Sequence, residues 1–148
     1  MREYGYKAAY VRELRAIVDP IALQLPLPRI DPNLVSALSV VTSLGFLLAW
    51  NHSRALALLL LLITVSLDWC DGLIAKKYEL CSRKGYLVDL VADRVSEGII
   101  FLPFLVPWFC LFILNTLLTL YGIATHRHII LPLRQVFLVV LVLLEIVS

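Results

Sequence analysis

Residues 68–93 read DWCDGLIAKKYELCSRKGYLVDLVAD and place four aspartates, at positions 68, 71, 89 and 93, in an otherwise apolar chain. Within each pair the spacing is three or four residues, so each pair shares one face if its segment is helical. Between the pairs lies a basic run that contains Lys76, Lys77, Arg83 and Lys84. We therefore interpret the stretch as a helical hairpin, in which one helix ends near residue 76 and the next begins near residue 85.

The composition indicates a membrane protein. Of the 148 residues, 61% are hydrophobic and 16% are charged, with a mean hydropathy of +0.90, whereas soluble domains carry about 25% charged residues. A net charge of +2 argues against a nucleic-acid-binding protein. The three cysteines form no CxxC pair and no metal-ligand spacing, so we expect neither a disulfide framework nor a zinc site.

Five apolar segments predict an all-α integral membrane protein. They cover about residues 34–50, 55–76, 85–108, 109–125 and 129–148, and each must be helical to satisfy its backbone in lipid. Residues 5–18 have one apolar and one charged helical face, which predicts an amphipathic helix in the membrane surface, with a soluble cap helix as the alternative. We expect one domain over residues 1–148, with a juxtamembrane segment at 1–32 and a transmembrane bundle at 34–148.

The distribution of basic residues predicts the orientation. With the N-terminus inside, all but two of the 13 Lys and Arg residues are cytoplasmic; Arg54 faces outwards and Arg94 lies within a span. This is a strong positive-inside pattern. It predicts a multi-pass protein of the cell membrane with the aspartates near the cytoplasmic side.

The four aspartates are expected to converge across the hairpin. At about 1.5 Å per residue, Asp71 and Asp89 lie roughly 6–7 Å from its ends, and Asp68 and Asp93 lie about 12 Å from them. An ionised group at the centre of a span costs about 2.5–3.5 kcal/mol, so the carboxylates either are partly protonated or hold a hard cation. The regular placement favours a cation, and oxygen ligands favour Mg²⁺, Mn²⁺ or Ca²⁺.

Small residues beside the aspartates indicate a bound ligand. Gly72 and Gly85 have no side chain to keep a ligand from the backbone, and Ala75 keeps the same face small. The basic residues at the opening suit an anion such as a phosphate. The stretch therefore predicts a cation that bridges carboxylates to a phosphorylated ligand.

The full pattern is Asp68-x-x-Asp71-Gly72-x-x-Ala75-Lys76, then eight residues, then Gly85-x-x-x-Asp89-x-x-x-Asp93. It resembles the signature of the CDP-alcohol phosphatidyltransferase family, D-x-x-D-G-x-x-A-R-x8-G-x-x-x-D-x-x-x-D. The segment DPNLVS, residues 31–36, is similar to the family's segment before its first span. Two features differ: the signature's arginine is Lys76 here, a point charge without the bidentate fork, and members typically have six spans where we count five.

The resemblance implies a membrane enzyme that moves a phosphoalcohol from a CDP-alcohol to a second alcohol and releases CMP. Asp68, Asp71 and Asp89 would hold the divalent metal, Mg²⁺ or Mn²⁺, with Asp93 at or beside it. Asp93 would also accept the proton of the acceptor hydroxyl. The nucleotide would be framed by Gly72, Ala75, Lys76 and Gly85. The implied partners are a CDP-lipid donor, an alcohol acceptor, membrane lipid and a second copy in a homodimer.

Two alternatives to an active transferase stay open. One is a divalent-cation carrier or channel, in which the aspartates line the path, although they occupy only the cytoplasmic half of the spans. The other is an inactive member of the family.

Further polar residues lie outside the signature. Glu97 continues the Asp89–Asp93 face and is interpreted as a hydrogen-bond partner rather than a metal ligand, and Arg94 could pair with one of these carboxylates. Arg127 and Arg134 either extend to the interface or bind an acceptor that carries a phosphate, such as a phosphorylated polyol. His126 and His128 diverge on a helix, which argues against a metal pair.

Overall fold

The computed structural model describes residues 24, 26–80, 82–125 and 131–147, and this part of the chain is helical, without a strand. The all-α prediction is confirmed for these residues. The amphipathic helix predicted at residues 5–18 lies outside the described residues, as do His126, Arg127 and His128.

Five α-helices follow one another along the described chain. They are α1 (Pro32–Ala49), α2 (Arg54–Lys77), α3 (Arg83–Phe101), α4 (Cys110–Thr125) and α5 (Leu133–Val147), with a short π-helical turn at Leu105–Phe109 between α3 and α4. Each of the five lies within or close to one of the predicted segments. The α2–α3 hairpin bends between Lys77 and Arg83, near the predicted positions 76 and 85.

Local signals explain where the first three helices begin. Asp31 caps α1 by accepting a hydrogen bond from Asn33 N at 3.0 Å, and a proline follows it at the first helical position. Ser53 caps α2 in the same way, and Ser82 caps α3 through Gly85 N at 3.0 Å. The Ser82 cap lies at the hairpin turn and fixes the start of α3 beside the signature residue Gly85.

The third predicted segment, 85–108, is too long. Helix α3 ends at Phe101, seven residues earlier than predicted. Pro103 lacks a backbone N–H, and a proline ring clashes with the carbonyl four residues before it, so the regular helix does not continue through this position. The chain then turns through Leu105–Phe109 before α4 begins.

Helix α1 makes the most extensive contacts with other helices. It lies against both α2 and α3, while α5 lies against α2, and α4 lies against α3. A core of apolar side chains fills the end of the bundle away from the hairpin turn, and it includes Phe46, Leu61, Ile100, Phe101 and Phe137, all with no exposed surface. Around Phe137 the rings of Phe101, Phe104 and Trp108 lie with centroids 5.0, 4.9 and 4.8 Å away.

The outer surface is strongly apolar. Two described helices, α1 with 18 residues and α2 with 24, are long and apolar enough to cross a membrane, and a shorter apolar stretch, Val106–Gly122, covers most of α4 and the turn before it. Large apolar side chains face outwards on every helix; Leu48, for example, is 73% exposed. Soluble monomers rarely expose contiguous apolar surface of this extent, so the surface fits a lipid environment.

Candidate active site

All four aspartates of the hairpin were expected to converge, and three of them form a tight group that does not include Asp93. One carboxylate oxygen each from Asp68, Asp71 and Asp89 lie within 4.8 Å of one another. Asp68 and Asp71 come from the last turns of α2, and Asp89 from the second turn of α3, so the hairpin brings them together. Oxygen atoms from two helices thus surround one point near the hairpin turn.

Asp71 is the most enclosed of the three, with 4% of its surface exposed. Its Oδ2 accepts a hydrogen bond of 2.6 Å from the hydroxyl of Ser36 on α1. A charge-assisted bond of this length orients the carboxylate and partly offsets its burial. Ser36 was not predicted as a site residue, although it is the last residue of the DPNLVS segment.

Asp93 lies one turn of α3 beyond Asp89 and has a different partner. Its Oδ1 accepts a hydrogen bond of 2.5 Å from Nη2 of Arg134 on α5. The same Nη2 lies 3.2 Å from Asp68 Oδ1. Arg134 therefore joins the two deeper aspartates, one from each helix of the hairpin.

The position of Arg134 was not predicted. The sequence suggested either an interface side chain or a phosphate ligand, but the structure buries Arg134 to 4% exposure, ion-paired to two aspartates. The reason is that α5 begins at Leu133, so Arg134 lies in its first turn and faces α2 and α3.

A second buried polar group lies one turn further along α3. Glu97, 1% exposed, pairs with Arg94 at 2.6 Å and accepts hydrogen bonds of 3.2 and 3.3 Å from Nδ2 of Asn115 on α4. These contacts agree with the interpretation of Glu97 as a hydrogen-bond partner. Asn115 was missed, although a lone amide in an apolar span is a signal for a polar contact between helices.

The small residues of the signature differ in their surroundings. A Cβ atom added at Gly72 would meet no atom within 4 Å, whereas one at Gly85 would lie 3.1 Å from the cap oxygen of Ser82. Gly85 thus permits a close approach at the start of α3, and Gly72 borders open space beside Asp71. Ala75 is half-buried and Lys76 is exposed in the last turn of α2.

A family model for CDP-alcohol phosphatidyltransferases matches residues 29–147. The chain belongs to the CDP-alcohol phosphatidyltransferase family. The match covers every residue of the site, from Ser36 to Arg134, and it confirms the resemblance drawn from the signature.

Two curated members of the CDP-alcohol phosphatidyltransferase family are similar over 84 residues. A CDP-diacylglycerol–inositol 3-phosphatidyltransferase of Candida albicans is 36% identical, over 55% of this chain and 36% of that protein. A CDP-diacylglycerol–glycerol-3-phosphate 3-phosphatidyltransferase of Rickettsia felis is 32% identical, over 52% of this chain and 46% of that protein. The matched region thus spans less than half the length of either relative. No solved structure matches the chain.

Proposed function

We propose that this protein is a membrane transferase that moves a phosphatidyl or related lipid phosphate from a CDP-alcohol to an acceptor alcohol and releases CMP. The observation that carries the proposal is the group of Asp68, Asp71 and Asp89, whose oxygens lie within 4.8 Å of one another at the family's signature. Family membership and the names of both relatives support the reaction class.

The donor set fits a hard divalent cation. The three candidate ligands are carboxylate oxygens, one of them oriented by Ser36, and such ligands suit Mg²⁺ or Mn²⁺. We assign Asp68, Asp71 and Asp89 as the residues that would hold the ion. When bound, the ion would neutralise charge on the donor pyrophosphate and align it for transfer.

The chain's own residues then have separate roles. Asp93 would accept the proton of the acceptor hydroxyl at Oδ2, because its Oδ1 accepts the hydrogen bond from Arg134. The open space at Gly72, next to Asp71, gives room for the nucleotide. We assign Ala75, Lys76 and Gly85 to the same nucleotide site on the basis of the signature, and Lys76 would contact a donor phosphate.

We propose a single domain with five membrane-spanning helices and a site on the cytoplasmic side. Two helices of sufficient length and the outward apolar side chains support this arrangement, as does the positive-inside pattern. The apolar core around Phe46, Phe101 and Phe137 closes the bundle on the far side of the aspartates. A closed core favours a reaction site at one interface over a conduction path.

Free and phosphorylated polyols are the two classes of acceptor alcohol to be compared. The sequence-based hypothesis is a phosphorylated polyol bound by Arg127 and Arg134. In the structure Nη2 of Arg134 is committed to Asp68 and Asp93, while Nη1 is buried without a hydrogen-bond partner among the described residues. One relative is named for inositol and the other for glycerol 3-phosphate, so both classes of acceptor belong in the assay.

The test is CMP release by the purified full chain with CDP-diacylglycerol, Mg²⁺ and a panel of inositol, inositol phosphate, glycerol phosphate and serine. We expect turnover with at least one polyol, and a loss of about a hundredfold or more in Asp89→Asn and Asp68→Asn. Asp31→Asn is the matched control, because asparagine also caps a helix well. Full activity in Asp89→Asn, or no CMP release with any acceptor, would contradict the proposal.

A further inference from the structure

Arg134 has a buried, positively charged guanidinium group that two aspartates compensate. Its side chain is 5% exposed, and Nη2 contacts Asp93 Oδ1 at 2.5 Å and Asp68 Oδ1 at 3.2 Å. A buried guanidinium is stable only when charge and hydrogen bonds compensate its desolvation. The two aspartates therefore fix Arg134, and Arg134 equally fixes the two aspartates.

The chain just before Arg134 is held by a second contact. The side-chain amide of Asn115 pairs with both backbone groups of Leu131: Nδ2 donates to Leu131 O at 3.2 Å, and Leu131 N donates to Oδ1 at 3.0 Å. Asn115 has no exposed surface. Leu131 is three residues before Arg134, so this amide clamp sets where α5 begins and where its first turn points.

The clamp is itself anchored to α3. Nδ2 of Asn115 also donates to both oxygens of Glu97, and Glu97 pairs with Arg94. A continuous set of polar contacts thus runs from α3 through α4 and Leu131 to the turn that carries Arg134. Buried hydrogen bonds restrict geometry because the surrounding dielectric is low, although Nε of Arg94 and Nη1 of Arg134 have no hydrogen-bond partner among the described residues.

We propose that Arg134 is a positioning residue that orients Asp93 through its hydrogen bond, that its charge compensates Asp68, and that Asn115 positions Arg134 by clamping Leu131. The role in the reaction rests on the proposed function. Arg134 also places a positive charge beside Asp68, one of the three candidate metal ligands. The guanidinium thus compensates part of the negative charge of the carboxylates, and it weakens the binding of a divalent cation to the same oxygens.

If Arg134 has this role, its removal should strengthen Mn²⁺ binding and lower kcat. Without the guanidinium, the carboxylate group has more uncompensated negative charge, so Mn²⁺ binds more tightly. At the same time Asp93 loses its orientation, so kcat falls more than the acceptor KM rises. A residue that only bound an acceptor phosphate would raise the acceptor KM and leave Mn²⁺ affinity unchanged.

The experiment is a Mn²⁺ titration of the purified full chain in detergent, followed by electron paramagnetic resonance without substrates. We expect Arg134→Gln to lower the Kd for Mn²⁺ by about fivefold or more, the lower end of usual coupling between sites. Arg134→Lys keeps the charge and should stay closer to the wild type. An unchanged or weaker Mn²⁺ affinity in Arg134→Gln would overturn the proposal.

Asn115→Leu tests the clamp, with Thr116→Val as its matched control, because the Thr116 hydroxyl donates to Phe112 O within α4. Asn115→Leu should shift Mn²⁺ affinity in the same direction as Arg134→Gln, and Thr116→Val should not. Equal affinities in Asn115→Leu and the wild type would remove Asn115 from the proposal.

A stability measurement covers the case in which Arg134→Gln folds poorly or the wild type binds no Mn²⁺. In the metal-free protein, Asp93→Asn combined with Arg134→Gln should recover part of the stability lost in Arg134→Gln alone, because only Asp68 of the two carboxylates beside Arg134 then keeps an uncompensated charge. No recovery would overturn the pairing. Mn²⁺ binding without any CMP release would contradict the proposed function but leave this inference intact.

Discussion

The two ends of the α2–α3 pair are held together by different physics. Near the hairpin turn the contacts are directional: Ser36 to Asp71 at 2.6 Å, and Arg134 to Asp68 and Asp93. At the far end, Phe46, Phe101 and Phe137 are buried by apolar and ring contacts that tolerate small shifts. We therefore expect the far end to contribute mainly to the stability of the bundle and the hairpin end mainly to the proposed reaction.

This division has a physical reason. Dispersion contacts are individually weak but numerous, so the aromatic core can stabilise the bundle without exact angles. Carboxylates that must share an ion need fixed positions, and they gain little stability from one another. Substitutions at the two ends should therefore separate folding from metal binding.

The largest expected effect is at the aromatic end. Phe137→Ala should lower the free energy of unfolding by about 3–5 kcal/mol, because it empties the centre of the core. The Mn²⁺ affinity of the fraction that remains folded should not change. Denaturant titration in detergent micelles measures the free energy of unfolding. The control is Val136→Ala, because Val136 is the adjacent residue and 47% of its surface is exposed. Loss of Mn²⁺ binding with an unchanged free energy of unfolding in Phe137→Ala would contradict this separation of the two ends.

The second prediction concerns the hairpin end. Ser36→Ala removes the hydrogen bond that the Ser36 hydroxyl donates to Asp71. We expect Mn²⁺ affinity to fall by about 10–100-fold, as for other residues that orient a metal ligand. Ser39→Ala is the matched control, since its hydroxyl donates to Ser36 O within α1. Equal losses in both variants would mean that α1 is disturbed as a whole.

The helices and the aspartate group could be predicted from the sequence because both follow from local rules. Apolar runs predict helices in lipid, and spacings of three and four residues predict a shared face. The end of α3 was predicted seven residues too late, because the apolar run continues past Pro103 whereas the regular helix ends at Phe101.

The partners of the aspartates could not be predicted in the same way. Ser36 is 35 residues from Asp71, and Arg134 is 41 residues from Asp93. Contacts between residues so far apart in the sequence depend on how α1 and α5 pack against the hairpin, and no local sequence pattern encodes this packing. Asn115 depends in addition on the course of the chain at Leu131. What remained hidden is therefore the set of residues that orient the site.

The third prediction compares two glycines. A Cβ at Gly72 would meet open space, whereas one at Gly98 would lie 3.1 Å from the Phe112 ring. Gly72→Ala should therefore stabilise α2 by about 0.5–1 kcal/mol and raise the KM for the CDP-lipid donor. Gly98→Ala should stabilise α3 less than Gly72→Ala stabilises α2, because its Cβ crowds the Phe112 ring, and it should leave the donor KM unchanged. An unchanged donor KM in Gly72→Ala would place the nucleotide elsewhere.

The smallest expected effect is at Lys76, the position where the family signature has arginine. Lys76 is exposed in the last turn of α2, so water screens its charge and limits what a contact with a donor phosphate contributes. An exposed ion pair typically stabilises by about 0.2–1 kcal/mol, and Lys76→Ala should accordingly raise the donor KM by no more than about fivefold. Lys76→Arg should keep or lower the donor KM, because the guanidinium can contact two phosphate oxygens at once.

The matched control for Lys76 is Lys77→Ala, since adjacent residues on a helix point in different directions. The measurement is the donor KM in the CMP-release assay at constant acceptor and Mg²⁺. An equal donor KM in the wild type, Lys76→Ala and Lys76→Arg would show that Lys76 does not contact the donor. Donor binding would then depend on the aspartate end of the hairpin and on Gly72, and the arginine of the signature would have no functional counterpart at this position of the chain.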